Sequence, residues 1–324
     1  MYSQEEMIRV AKLYYEMNLT QKDISERLPY SRATISRILD TAYKQGIIQV
    51  KVNYPISSLQ QLEDQIKDKF SLEKVFVAPV YVEDDALILD DVGRAVAHYL
   101  YEICQDNCTL GVSWGTTLAY VLPHLVPKKV KNMKIVQLNG GIAKNSYSTG
   151  AAQLLEKFSE AFSTGYHLLP VPTIVDSELI AKVMTSDSSI KETLELSRES
   201  NIAIFSIGTV SYKNILYKGG FFKGKAYEEL MSKKAVGDIC SRYFKEDGTL
   251  ADEELNNRTI GLELEELRKK EYSIAVASGK SKAKSVIGAL NGGYVSALFI
   301  DELLAGEIVQ LTSGGHKSES SKVI

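Results

Sequence analysis

The sequence predicts an α/β protein, with an N-terminal helix-turn-helix domain of the winged type ahead of a doubly wound body on a mostly parallel sheet. Three observations predict it. Residues 20–46 hold two capped amphipathic helices separated by a proline turn. From Glu73 onward, short apolar β-like runs alternate with helical stretches. The length, 324 residues, suits about two domains.

In the head, Met7, Val10, Ala11 and Tyr14 fall at i, i+3, i+4 and i+7, one face of a helix. Thr20 stands as an N-cap before QKDISERL, with Asp23 three residues on in an acidic variant of the capping box. Leu28 closes that helix, and Pro29 cannot continue it because it lacks the amide hydrogen a helix interior needs. Ser31 is the next N-cap, opening RATISRILDTAYKQG, in which Ile35, Ile38, Leu39 and Ala42 repeat the stripe. Gly46 takes the position just past the helix that favours a left-handed residue. IIQVKV (47–52) follows as a short β run, the expected wing.

Two capped helices and a tight turn within about twenty residues have helix-turn-helix spacing. With the stripe buried, the second helix exposes Ala33, Arg37, Asp40 and Lys44, flanked by Arg32, Thr34 and Ser36. Arginine reaches guanine edges, and hydroxyls reach phosphates, in a major groove. The candidate contacts to double-stranded DNA are Thr20, Gln21, Ser31, Arg32, Ala33, Thr34, Ser36, Arg37 and, in the wing, Lys51. A solvated helix in an ordinary bundle is the plainer alternative. The caps, the proline turn, the polar face and the wing together outweigh it.

Pro55 stops the wing, and residues 56–70 (ISSLQQLEDQIKDKF) form a helix with Leu59, Leu62, Ile66 and Phe70 on one side. That stripe either closes a dimer or docks on the body. In the body the strand candidates are residues 75–80, 109–113, 134–138, 166–171, 202–208, 273–278 and 297–300. Helical segments between them include 90–105, 148–162, 187–199 and 280–290. Near-continuous apolar strands alternating with helices argue for a parallel sheet covered on both faces. Ligands of such sheets sit at the carboxyl ends of the strands.

Five loops stand at those ends. GVSWGTT (111–117) ends a strand in a glycine turn and opens a helix with two hydroxyls on free amides, an anion cradle. Asn139-Gly140-Gly141, Gly208-Thr209, Gly237-Asp238 and SGKSKA (278–283) are the others. The GKS in the last is half of a P-loop, but Ile274 stands where the first glycine belongs, which excludes nucleoside triphosphate binding. Thr116, Thr117 and Lys282 offer donors to a phosphate, and Asp238 offers an acceptor to sugar hydroxyls.

Other chemistries find little support. The histidines His98, His124, His167 and His316 are scattered, and Glu253-Glu254 and Glu265-Glu266 read as solvated faces. Trp114 could stack on a sugar, although a lone tryptophan after a strand more often packs. Cys104, Cys108 and Cys240 give an odd count with no zinc or disulfide spacing, so neither a metal nor a cofactor is expected and a reducing cytoplasm fits. The chain is 44% hydrophobic and 24% charged, with a mean hydropathy of −0.10. No apolar run of about 20 residues is available for a membrane, and the N-terminus lacks a signal peptide's apolar stretch. The net charge is −3, yet residues 1–52 carry 8 Lys/Arg against 6 Asp/Glu while the rest carries 30 against 35. A basic head on an acidic body suits a protein whose head alone meets phosphate.

The chain resembles bacterial transcription regulators of the sorbitol-operon (SorC) type, near their deoxyribonucleoside-regulator branch. The residues that carry the resemblance are LTQKDISERLPYSRATISRIL (19–39), GVSWGTT (111–117), VQLNGG (136–141), AVGDICSRYF (235–244), NRTIG (257–261) and SIAVASGKSKAKSVIGAL (273–290). The resemblance implies a winged DNA-binding domain and an effector domain related to sugar-phosphate isomerases. It also implies a homo-oligomer (dimer or tetramer) and operator binding controlled by a phosphorylated sugar, with no enzymatic role. The effector contacts expected are Gly115, Thr116, Thr117, Asn139, Gly140, Gly141, Gly208, Asp238 and Lys282. Some deoxyribonucleoside-type members carry a lysine, able to form an imine, where this chain has Asn139. Covalent capture of an aldehyde sugar by that route is therefore not expected.

Two alternatives stand beside the regulator. An isomerase-like enzyme with a DNA-binding head would need a positioned general base, and Asp238 is the only candidate in the sheet-end loops. An interaction module with an inert body would bind no sugar phosphate. The expected division is 1–54 helix-turn-helix domain, 55–72 linker or oligomerisation helix, 73–311 effector domain and 312–324 disordered tail.

Overall fold

The computed structural model describes residues 2–50, 57–141, 149–222 and 224–313. The chain divides into two units, Met1–Pro55 and Ile56–Ile324. In the first, side-chain caps set where each helix begins. α1 (Gln4–Ala11) starts behind Ser3, whose hydroxyl accepts from the Glu6 amide while the Glu6 carboxylate accepts from the Ser3 amide. α2 (Gln21–Arg27) is capped in the same reciprocal way by Thr20 and Asp23. α3 (Arg32–Lys44) begins at Ser31, whose hydroxyl accepts from the Thr34 amide. Each such cap satisfies amides that a helix start leaves open and contributes about 1 kcal/mol. Met7, Val10, Ile24, Leu28, Ile35, Ile38, Leu39, Ala42 and Ile48 form the core that holds the three helices together.

The expected wing is not a strand over Ile47–Val50. The amides of Ile47 and Ile48 turn back to the carbonyl of Ala42, at 2.9 and 3.3 Å. Ile48 enters the head core instead of a ladder. Among the described residues no strand lies beside this run to pair its backbone. Lys51, Val52 and Pro55 lie outside the described residues.

The second unit opens with α4 (Ser57–Phe70), β1 (Lys74–Ala78), α5 (Asp85–Ile103), β2 (Thr109–Val112), α6 (Thr116–Ala119) and β3 (Lys134–Gln137). Next come α7 (Ala151–Phe162), β4 (Tyr166–His167), α8 (Glu178–Ser186), α9 (Ser188–Glu199), β5 (Ile202–Ser206), β6 (Gly208–Thr209), α10 (Ile215–Lys218) and α11 (Gly224–Ser232). It closes with β7 (Ala235–Ile239), β8 (Arg242–Lys245), α12 (Glu253–Asn257), α13 (Leu264–Leu267), β9 (Tyr272–Val276), α14 (Ala283–Asn291), β10 (Ala297–Asp301) and α15 (Glu302–Ser313).

Seven strands form one sheet in the order β1-β10-β9-β5-β2-β3-β4, with every neighbouring pair parallel. Alternate side chains feed opposite layers, as the pleat requires. Val75, Val77, Phe205, Leu298 and Ile300 face α4, α14 and α15. Ala78, Leu110, Ile204, Val276 and Phe299 face α5 and α7. Both faces are thus covered by helices. The stripe of α4 is used here, with Leu59 and Ile66 buried in this core and Leu62 and Phe70 packed against it.

Two strand expectations change. The run 166–171 pairs only through Tyr166 and His167. Pro170 cannot donate to a ladder, and Leu169 and Val171 pack in a cluster with Val175, Ala181, Ile190 and Leu194. KAVGDICSRYF is not a loop. It supplies β7 and β8, which with β6 make a separate antiparallel sheet. Their hairpin turns on Cys240 and Ser241, with φ of 52° and 69°, the left-handed pair that a two-residue turn between twisted strands demands. At the far end, Thr312 and Ser313 belong to α15 rather than to a tail, and the Thr312 carbonyl accepts from Lys69 Nζ at 2.6 Å. Residues 314–324 lie outside the described residues.

Candidate functional site

At the carboxyl ends of β2, β5 and β9 the loops enclose a cleft of about 250 Å³. Gly115, Thr116, Thr117, Asn139, Gly208, Asp238 and Lys282 all line it, so seven of the nine sequence-derived positions converge. Gly140 and Gly141 do not. Gly140 is wedged against the backbone of Val171 and Pro172, where a Cβ would come within 2.6 Å of the Val171 carbonyl oxygen. Its own carbonyl accepts from Trp114 Nε1 at 2.8 Å. Gly141 lines a separate concavity with Gln137 and Leu168.

The floor of the cleft is a chain of buried hydrogen bonds. Ser113 Oγ donates to Asn139 Oδ1 at 3.0 Å, and Asn139 Nδ2 donates to Ser241 Oγ at 3.2 Å. Ser241 Oγ also accepts from Thr173 Oγ1 at 2.9 Å. Asn139 therefore uses both ends of its amide inside the protein. One wall comes from the segment between β6 and α10. Asn214 Nδ2 donates to the Thr209 carbonyl at 2.6 Å and to Asp238 Oδ1 at 3.2 Å. The Tyr227 hydroxyl both accepts from the Ser211 amide and donates to the Ser211 carbonyl, at 2.9 Å each.

Several polar groups in this cleft have no internal hydrogen bond. Lys282 Nζ, Thr117 Oγ1 and Ser206 Oγ make no hydrogen bond to the described residues. Burial holds the Lys282 ammonium below the usual lysine range, against the opposing pull of Asp238 and Asp301. Burial likewise pushes the Asp238 carboxyl up to about 6, opposed by the Asn214 amide, the Ser241 amide and Lys282. Cys240 is pushed to about 12 by burial and is no nucleophile near neutrality. α6 has only four residues, so its contribution to an anion would come from individual amides and not from a long helix dipole.

In the head, Thr20, Gln21 and Arg32 share one concave face with Tyr14, Tyr15 and Lys22. Ala33, Ser36 and Arg37 are exposed along α3. The hydroxyls of Thr20, Ser31 and Thr34 are engaged in caps, Thr20 with Asp23 at 2.7 Å and Ser31 with Thr34 at 2.9 Å. Among the described residues no cluster of His, Cys, Asp or Glu could hold a metal. No described helix is long and apolar enough to cross a membrane.

Residues 54–310 match the sugar-binding domain family (Sugar-bind). Over 306 residues the chain is 38% identical to the deoxyribonucleoside regulator of Bacillus subtilis, covering 94% of this chain and 97% of that one. It is 28% identical to the sorbitol operon regulator of Klebsiella pneumoniae, covering 90% and 93%. The chain belongs to the SorC-type family of sugar-binding transcriptional regulators. The full-length SorC crystal structure from Klebsiella pneumoniae matches with a TM-score of 0.76 at 25% identity, over 95% of this chain and 99% of that one. A domain of a sugar-binding transcriptional regulator from Arthrobacter aurescens TC1 matches with a TM-score of 0.73 at 31% identity, over 77% and 97%.

In this SorC-type regulator, Ser206, Asn214 and Ser241 also line the cleft, and none was singled out from the sequence. Asn214 had a local signal, since it is the N-cap of α10 and its Oδ1 accepts from the Leu216 amide at 2.7 Å. Ser206 had a signal too, since it ends β5 and so stands at a strand's carboxyl end. Ser241 had none, because only the second sheet's hairpin brings it to the cleft.

Proposed function

We propose that this chain regulates transcription of a carbohydrate or nucleoside catabolic operon in the cytoplasm. Its head, residues 1–54, would grip double-stranded operator DNA as a helix-turn-helix. Its effector domain, residues 73–311, would release or remodel that grip on binding a phosphorylated sugar. The observation that carries this reading is the division of the cleft into two chemistries. Lys282, Thr117, Ser206 and the amides of 115–117 offer donors for a phosphate, and Asp238 offers an acceptor for sugar hydroxyls. Charge-assisted contacts of the first kind contribute roughly 1.5–3 kcal/mol each. We read the body as kin to sugar-phosphate isomerases without their proton transfer, in keeping with relatives named as regulators. Self-association follows from the reading, because a symmetric operator needs two heads.

A melting screen against phosphorylated sugars tests it. A ligand at ~100 times its dissociation constant adds roughly 2.7 kcal/mol of stability, enough for a clear shift. The matching sugar phosphate should raise the melting temperature and alter operator binding, while inorganic phosphate should do far less. No shift across a broad panel would remove the sensor reading. Conversion of the sugar phosphate into an isomer would favour the enzyme.

A further inference from the structure

α8 turns an apolar face to solvent. Leu179, Val183 and Ile180 are 70%, 63% and 40% exposed, and Ala181 is the helix's one buried residue. Leu179 and Val183 lie one turn apart, and Ile180 lies three residues from Val183, so the three share a face. A single exposed leucine is ordinary, but a contiguous apolar patch marks a contact surface. Along one edge of the patch run Glu178 and Lys182, ion-paired with each other at 2.6 Å.

The patch is complementary to itself. With two α8 helices laid antiparallel about a two-fold axis near Ala181, Leu179 meets the second copy's Val183, and Val183 meets its Leu179. The same operation sets Glu178 and Lys182 on the same side of the pair in both copies. Each carboxylate then comes within reach of the other copy's ammonium, and symmetry makes every contact twice. A patch edged by one sign of charge would repel its own image. This one attracts it.

We propose that α8 is the centre of a two-fold interface between two copies of this chain. The inference rests on the reading that the chain self-associates, and its test separates the two. Sedimentation of the full chain at micromolar concentration should show a multiple of 35.9 kDa. Leu179→Glu with Val183→Glu should weaken that association tenfold or more. Lys182→Glu should weaken it as well, by setting carboxylates against carboxylates. Glu178→Lys combined with Lys182→Glu should restore it, because the exchanged charges again face their opposites. The charge variants alter only exposed positions, so they decide the matter if the glutamate pair perturbs folding. An associated native chain whose variants associate equally well, or a double exchange no better than the single one, overturns the interface. A native chain that is monomeric overturns the self-association reading and the interface with it.

Discussion

Gly208 faces Asp238 across the β6–β7 pair, and the Asp238 carboxylate fills the space that a Cβ on Gly208 would occupy. The glycine is what lets that carboxylate sit inside the cleft. The amide of Asn214 closes the same space from the other side.

Gly208→Ala is accordingly expected to push Asp238 out of position. Overpacking of this kind costs about 1–3 kcal/mol. The melting temperature of the full chain should fall, and the response to the sugar phosphate should fall with it. A variant that melts and responds like the native protein would show that Asp238 has room to move.

Asp238 gives the cleft a pH signature. Its folded pKa of about 6 lies above the ordinary 3.8, because burial disfavours the charged form. The folded state therefore holds this proton more tightly than the unfolded chain does. The stability gained is fully present below the ordinary carboxylate value and is lost as the pH rises through about 6. Asp238→Asn stays neutral throughout, so its melting temperature relative to the native chain should rise between acid and neutral pH. The gain should be on the order of 2–3 kcal/mol. Effector binding should run the other way, since sugar hydroxyls donate best to the ionised carboxylate. Native affinity should climb through about pH 6, and the asparagine variant should lose that part of the climb. Parallel profiles for the two proteins would sink the assignment.

Arg242 is buried at 2% exposure with a guanidinium that serves four carbonyls, those of Asn256, Thr259, Gly261 and Leu262. It also pairs with Glu263 at 2.7 Å. Arg242→Ala strands those acceptors and should cost about 3–5 kcal/mol. Arg242→Lys should rescue little of it, because one ammonium cannot reproduce a planar fork of donors. Urea unfolding followed by the fluorescence of Trp114, the chain's single tryptophan, reads the loss directly.

In the head, stability and recognition should separate. Thr20 is held in its cap, so Thr20→Ala should cost about 1 kcal/mol of head stability. Arg37 is exposed on α3. Arg37→Ala should leave the melt unchanged, cost ~1–3 kcal/mol of operator affinity and relax one operator position. Equal operator affinity for Arg37→Ala and the native chain would take the reading helix away from α3.

Local rules made much of the fold legible. Thr20 and Ser31 cap as their side chains dictate, and Ile35, Ile38, Leu39 and Ala42 lie buried where the period put them. The parallel strands show as apolar runs because both of their faces are covered. Long-range pairing decided what stayed hidden. GDICSRYF has no glycine or asparagine in its turn, so nothing local marks Cys240 and Ser241 as left-handed. Ile47–Val50 have β composition, yet among the described residues no strand lies beside them. The same division holds in the cleft. Thr116, Thr117 and Lys282, and Ser206 at the end of β5, stand where strand-to-helix order points, whereas Ser241 is brought there by the second sheet.

The pairing of β1 with β10 sets Lys74 beside Ala297 and Ala78 beside Asp301. On the ribosome the first strand of the sheet thus waits, unpaired, until residues 297–301 have been made. α4 waits too, since the layer that buries Leu59 and Ile66 includes Leu304 and Ile308 of α15. The described core residues of the three-helix head all come from the head itself, so it can fold early in synthesis. A chain cut short before residue 297 would then carry a finished head on a body that cannot close. The exposed β1 edge of such a fragment would make it a natural target for chaperones and proteases.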